Sequence, residues 1–515
     1  MELSKNKKIN ISVVVSLLAL VVSFLTSFLF TKFLLHQPQI GSVRYGLKTT
    51  VDSLVSFVSI LTFGMSSTFI RFHNKYRNKE KAVFAAFNLI TTIVALIILA
   101  FGAIICILTL NGHILKVGEG AYTEEQVHEF ILILIVTISY VALSVILDNN
   151  KFYLESTKHV ILVRIINLLI LTAYPLISIP IVLSGKGMVA VTIVYASSYI
   201  VGFLFYLFYR IFKCKEKTVF IYKGIEKSIV KEISVFIIFV ILTVCVETLN
   251  HSVDKIILTV GFSAASLSTV YQLSVIVNQV MILFSDTIYA PILPFIADDI
   301  EKGNTKEIQK TYDSVSFILL LLGFLLLSGF VACGREFINF WVGEELIESE
   351  RNLLFWFTVI SLTSLPLYVT GKFSTVIHRI ANKHKESSVI YLLSFLLHLV
   401  ITFSLLWLVG IWACIIGTSI SMLAIGIAFY FVNKKYINLS EKEYTKNLLF
   451  ILLATVVTIG ISIILKFFVF DHLNIGCTAM FFIKGIIAVL LFGGIIFIVY
   501  RKNLFKLIKQ VSRKK

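Results

Sequence analysis

Apolar runs long enough to cross a membrane recur along the whole chain, separated by short polar segments. Runs able to span roughly 30 Å of hydrocarbon predict helices near 11–35, 45–70, 82–110, 129–148, 159–184, 187–210, 230–258, 266–296, 311–333, 352–378, 388–409, 411–433, 447–470 and 477–500. Short alternating strands are absent, and lipid accepts only helices or closed barrels. The pattern therefore predicts an all-α integral membrane protein of about fourteen transmembrane helices.

Polar residues break this pattern at defined places. The run Ile233 to Val246 leads into Glu247, Asn250, His251, Asp254 and Lys255, whose spacing puts them in one stripe on a helix. In the next run Gln272, Gln279 and Asp286 recur every seven residues, with Asn278 beside them. On the second span Tyr45, Lys48, Asp52, Ser56 and Ser59 share a face, and Lys48 and Asp52 are spaced to pair. The first span has a milder line of Ser12, Ser16, Ser23, Ser27 and Thr31. An ionisable group facing lipid costs roughly 2.5 to 3.5 kcal/mol. These faces are thus expected to converge on a water-filled cleft.

Composition agrees with the pattern: of 515 residues 58% are hydrophobic and only 15% charged, with mean hydropathy +0.93. No polar segment is long enough to fold as a soluble enzyme. The formal charge of +17 would point to nucleic acid in a soluble chain. Here the bases gather in alternate loops: Arg71 to Lys81, Lys151 and Lys158, Arg210 to Lys231, Lys302 to Lys310, Arg379 to Lys385, Lys434 to Lys446, and the tail from Arg501. With both termini cytoplasmic, that distribution obeys the positive-inside rule and accounts for most of the charge without nucleic acid. Lys5, Lys7 and Lys8 before an apolar run imitate a signal peptide, but the run from Ile11 to Leu35 is long and lacks a cleavage site, which reads as an uncleaved first span. Six cysteines stand far apart without metal-ligand spacing and read as apolar fillers.

The long basic linker after the sixth span divides the chain. The segment from Tyr45, YGLKTTVDSLVSFVSILTFGMSSTFIRF, and that from Tyr271, YQLSVIVNQVMILFSDTIYAPILPFIAD, each follow a turn opened by glycine and each lead into a basic loop. The layout predicts an N-terminal lobe of six helices at 1–212, a linker at 213–229, a second six-helix lobe at 230–435, and two added helices with a basic tail at 436–515.

Candidate chemistry follows from the charges within spans. Lys32 and Lys48 lie near the outer ends of theirs, where they either snorkel to headgroups or face a lumen. Arg71 ends its span where the positive-inside rule alone would supply a base. Arg164 and Lys372 sit deeper. Asp254, Lys255 and Asp286 either mark a substrate or ion pathway or bind helices together. Pro175, Pro180, Pro291, Pro294 and Pro366 are expected to bend their helices. Lys484 has no assigned role. No GxxxxGK[ST], HExxH, GxSxG or paired-cysteine zinc pattern is present, and outer loops are short, so no enzyme activity, metal or cofactor is expected.

At this point RYGLKTTVDSLVSFVSILTFGMSSTFIRF, ETLNHSVDKIILTVGFSAASLSTVYQLS, APILPFIADDIEKGN and FWVGEEL together resemble the polysaccharide and oligosaccharide flippases, O-antigen flippases among them, of the multidrug/oligosaccharidyl-lipid/polysaccharide exporter superfamily. The resemblance spans nearly the whole chain, with Asp254 in DKIIL and Gly343 in WVG the most telling positions. It implies a fold like that of the multidrug exporters of the superfamily, with two extra helices. It also implies translocation of an undecaprenyl-diphosphate-linked oligosaccharide to the outer leaflet of a bacterial inner membrane, through a cationic cleft that opens alternately to each side. Glycan polymerase and glycosyltransferases of the same pathway would be the protein partners, beside membrane lipids. In that frame Lys48, Arg71, Arg164, Lys255 and Lys372 would supply positive potential, while Asp52, Glu247, Asp254 and Asp286 would pair with them or carry a coupling ion. Gln272, Asn278 and Gln279 would add polar lining. Arg71 has no counterpart in the second lobe, where Ala297 stands, which argues against two-fold symmetric diphosphate binding. A cation-coupled drug exporter, a peptidoglycan-precursor flippase and, from another class, a membrane glycan polymerase or ligase are the alternatives. A purely structural scaffold explains the helices but not their polar stripes.

Overall fold

A computed structural model describes residues 22–512, apart from 23–24, 27, 63–64, 119–121, 158, 215–221, 290–291, 293–295, 297–298, 301, 382, 437–439 and 474. Most of the first expected span lies outside the described residues; its last part, 28–35, is helical. Long helices follow: α1 (Gly41–Ser59), α2 (Met65–Lys75), α3 (Glu80–Leu110), α4 (Glu124–Ser156), α5 (Val160–Leu183), α6 (Met188–Phe208), α7 (Lys227–Ile256), α8 (Ala265–Tyr289), α9 (Thr305–Val342), α10 (Glu348–Ile380), α11 (His384–Val409), α12 (Trp412–Tyr436), α13 (Lys442–Phe468) and α14 (Cys477–Ser512). Among the described residues eleven helices are long and apolar enough to cross a membrane, and no named strand occurs. The protein is thus an all-α, multi-pass membrane protein.

The expected second span is not one continuous helix. A 3-10 turn at Ile60–Thr62 follows α1 and precedes α2, and there the Thr62 hydroxyl donates to the Ser59 carbonyl at 2.6 Å. That local bond competes with the helical ladder, as Ser and Thr side chains do at helix ends. Elsewhere the sequence sets helix limits directly. α4 opens with a capping box in which Thr123 and Gln126 each satisfy the other's backbone N–H. α6 and α7 each run on into one π-helical turn, at Tyr209–Lys213 and Ile257–Gly261. Pro175 and Pro180 lie inside α5, and Pro366 inside α10; Pro291 and Pro294 fall outside the described residues.

The chain forms two compact units, residues 1–272 and 273–515. In the first, α4 packs against α3 and α6, and α1 against α7; Phe69, Phe84, Phe87, Phe130 and Leu134 are fully buried in its core. In the second, α12 lies between α10 and α11, while α9 packs on α10, α13 and α14. Gly323 of α9 lets that helix approach α10 closely, since a Cβ there would sit 3.0 Å from the Pro366 Cα. Large apolar side chains also cover the outside: Trp407 and Leu408 are 92% and 79% exposed. An apolar outer surface is what a lipid environment stabilises, and water does not.

Candidate functional site

The polar residues of α1, α7 and the start of α8 come together inside the first unit. Docking of α1 depends on small and hydroxyl-bearing residues along one side. A Cβ on Gly46 would fall 1.8 Å from the Ala265 carbonyl oxygen, so only glycine fits beneath the first turn of α8. Beside it the Thr50 and Thr259 hydroxyls bond at 2.6 Å, Thr49 bonds Ser268 at 3.1 Å, and Thr269 donates to the Ser42 carbonyl at 2.6 Å. Tyr122 donates to the Thr259 carbonyl at 2.8 Å. Where hydrocarbon surrounds the bundle, such bonds hold helices together because hydrophobic attraction between them is lost.

That seating leaves the opposite face of α1 to the charged residues. Lys48 forms an ion pair with Asp52 one turn on, as the spacing predicts. The lysine side chain is mostly covered, whereas that of Asp52 is 48% exposed. On α7, Asp254 is fully buried and accepts a hydrogen bond from Tyr271 at 2.5 Å. The same hydroxyl lies 3.2 Å from His251 Nδ1. Lys255 donates to Gln272 at 2.9 Å and is within electrostatic reach of Asp52, Lys48 and Asp254. Neighbours in sequence, Asp254 and Lys255 therefore turn to different partners on α8. A carboxylate taken out of water is tolerated here because a phenol hydroxyl satisfies it.

The remaining expected site residues lie on other elements or further along α8. Arg71 is exposed on α2, with its guanidinium 4.4 Å from the Phe236 ring centroid, a cation–π contact. Arg164 is half-buried on α5 in the first unit. Lys372, half-buried on α10, belongs to the second unit. Asn278 is buried there with neither side-chain atom hydrogen-bonded among the described residues, whereas Gln279 is exposed. The side chains of Glu247 and Asp286 lie outside the described residues.

Sequence reasoning missed three groups. Tyr271, the partner of Asp254, reads in the sequence as one more aromatic in an apolar run. A set of tyrosines, Tyr140, Tyr174, Tyr195 and Tyr199, packs ring against ring in the first unit, with centroids 4.7 to 5.8 Å apart. The four-residue spacing of Tyr195 and Tyr199 was its available signal. In the second unit, Lys484 of α14 is 5% exposed and donates to Glu336 of α9 at 2.5 Å. Its ammonium also lies 5.3 Å from the Phe470 ring.

A second polar network of that unit gathers at the start of α13. Glu441, just before the helix, accepts from Tyr312 at 3.3 Å on each carboxylate oxygen. Asn433 donates to Tyr312 and to Ser374, at 3.0 Å each, and its carbonyl oxygen faces His378 Nε2 at 3.0 Å. Burial pushes the Glu441 carboxyl up to about 7, against the hydrogen bonds from Asn433 and Tyr312 and with help from Asp313.

No family model matches the chain, and no curated protein matches it. Solved structures do. Over 95% of this chain and 99% of the other, the fold is similar to that of the lipid II flippase MurJ in an inward closed conformation, with TM-score 0.72 at 13% identity. An inward-facing multidrug resistance MATE family transporter of the MOP superfamily is similar over 83% of this chain and 98% of its own, with TM-score 0.59 at 14% identity. A MOP superfamily transporter from Pyrococcus furiosus, described by the reversed polarity of its binding pocket, gives TM-score 0.56 at 14% identity over 83% and 95% of the two chains. At these identities the likeness is one of fold, and the fold is the one that the sequence resemblance implies.

Proposed function

We propose that the chain is a flippase that carries an undecaprenyl-diphosphate-linked oligosaccharide from the inner to the outer leaflet of a bacterial cytoplasmic membrane by alternating access, for export of surface polysaccharide. The observation that carries this reading is the group Lys48, Asp52, Asp254 and Lys255, ionisable residues gathered inside an apolar bundle. A diphosphate and sugars do not cross hydrocarbon unaided, whereas basic groups with low-dielectric walls attract phosphate strongly. Lys48, Arg71, Arg164, Lys255 and Lys372 supply positive potential. Asp52, Glu247, Asp254 and Asp286 pair with them or carry a coupling proton or cation, and Gln272, Asn278 and Gln279 add hydrogen-bonding capacity.

Similarity over 95% of the chain to a structure described as a flippase, against 83% for the multidrug transporter, favours the flippase branch of this fold. Two six-helix lobes at 1–212 and 230–435, joined by the linker 213–229 and followed by 436–515, would carry out the alternating access, with both termini cytoplasmic by the positive-inside rule. Glycosyltransferases would supply the substrate and a glycan polymerase would receive it. Reconstitution into liposomes with a fluorescent undecaprenyl-diphosphate oligosaccharide tests the reading. Protein-dependent access of an external quencher to the lipid-linked sugar, weakened by Lys255→Ala, is the expected result. No movement of that lipid, together with gradient-driven export of a cationic dye, would overturn it in favour of a drug exporter.

A further inference from the structure

A cavity of about 210 Å³ opens in the first unit beside the charged residues of α1, lined from α1, α5, α6 and the helical segment 28–35. Its walls include Thr31, Tyr45, Lys48, Asp52, Tyr174 and Tyr195. The rings of Tyr174 and Tyr195 meet edge to face, 5.2 Å apart at 87°, and so make a right-angled corner. Tyr195 is held from behind by Tyr199 at 4.7 Å and Tyr140 at 5.8 Å, which fixes the corner before any ligand arrives. The Lys48 ammonium lies over the Tyr195 ring, 5.8 Å from its centroid. Tyr45 and Thr31 share a hydrogen bond at 3.3 Å. The Asp52 side chain on this lining is half-exposed.

Size, shape and charge narrow the ligand. Drug-sized pockets run from roughly 300 to 1,000 Å³, so this one admits a single ring. Two perpendicular aromatic walls suit a ring with a flat C–H face, and hydroxyls beside an ion pair suit a ligand carrying several hydroxyls of its own. Among the lining residues the one carboxylate is already paired with the one lysine, so no net charge remains to hold a free cation, which would have to displace Lys48. We propose that this cavity is a subsite for one neutral pyranose ring, stacked in the Tyr174–Tyr195 corner with its hydroxyls bonded to the Lys48–Asp52 pair. The flippase reading supplies the glycan that would present such a ring; the chemistry of the cavity stands without it.

The test uses the full-length protein in lipid nanodiscs and saturation-transfer NMR with free methyl hexosides and, separately, tetramethylammonium. Methyl hexosides should bind and tetramethylammonium should not. Tyr195→Leu removes the stacking face and Asp52→Asn weakens the polar grip; each should lower hexoside affinity by about ten-fold or more. Tyr195→Phe, which keeps the face, should stay closer to the native protein than Tyr195→Leu. Thermal unfolding of each variant separates lost binding from lost folding, and if Tyr195→Leu does not fold, the half-exposed Asp52 decides. Absence of hexoside binding by the native protein, undiminished binding in folded Asp52→Asn, or preferential binding of tetramethylammonium would overturn the proposal. Flipping of the lipid-linked oligosaccharide without hexoside binding refutes the sugar subsite alone; hexoside binding without flipping refutes the transport reading alone.

Discussion

Glutamine at position 441 should flatten the pH dependence of this protein's stability. Glu441 is 6% exposed, its carboxylate is held by Tyr312, and among the described residues no lysine or arginine pairs with it. Burial in that setting raises its carboxyl from 4.5 to about 7. A folded state that holds the proton more tightly than the unfolded chain gains stability that is fully present below about pH 4.5 and is lost as pH rises through about 7. At about 1.4 kcal/mol per pH unit, the interval corresponds to about 3 kcal/mol. Glutamine has the same shape, still accepts a hydrogen bond from Tyr312, and never ionises. Glu441→Gln should therefore match the native protein near pH 4.5 and exceed it by about 3 kcal/mol above pH 8. With about 2 to 4 °C per kcal/mol for a unit of this size, the two Tm values should separate by several degrees. Tryptophan fluorescence during thermal unfolding in detergent, from pH 4.5 to 8.5, reads this directly. Parallel Tm curves for the two proteins would refute the buried, unpaired carboxylate as the source of the effect.

Other variants probe the remaining contacts. Lys484→Met strands Glu336 and should cost about 2 kcal/mol, somewhat below the usual penalty for breaking a buried pair because Glu336 is 19% exposed. Adding Glu336→Gln should recover more than half of that loss, and a double variant as unstable as the single would contradict the pairing. Gly46→Ala drives a Cβ against the Ala265 backbone and should cost roughly 1 to 3 kcal/mol as α1 is pushed off α8; an unchanged Tm would show that the contact is not tight. Lys255→Ala and Asp254→Ala should each lower lipid-linked oligosaccharide flipping by about ten-fold, the loss of one hydrogen bond to a charged group, with membrane insertion unchanged. Normal flipping in both would remove these residues from the site.

How far the sequence could be read depended on whether a feature was local. The apolar runs yielded the helices because a bilayer obliges each segment to satisfy its own backbone hydrogen bonds. The Lys48–Asp52 pair was visible for the same kind of reason, since one helical turn brings the residues together wherever the helix is placed. The break after α1 was not, because an apolar run reads the same whether its backbone is α-helical or tightens for one turn. Lys484 had no role until α9 brought Glu336 beside it from 148 residues away. Asp254 and Lys255 showed their charges but not their separate partners, Tyr271 and Gln272.

The sequence by itself determined that this is a polytopic helical membrane protein, where most of its helices fall along the chain, and which of the expected spans carry polar faces; it did not fix their ends, since the spans expected at 129–148 and 311–333 are the helices Glu124–Ser156 and Thr305–Val342. Only the tertiary structure decided where those faces turn. It seated α1 on α7 and α8 through Gly46, Thr49 and Thr50, gathered the tyrosines of α4, α5 and α6 behind a cavity, and buried Glu441 against Tyr312. Helix formation in lipid is settled within one segment, but the partner of a buried charge depends on the rotation and crossing of helices far apart in the chain, which packing alone sets.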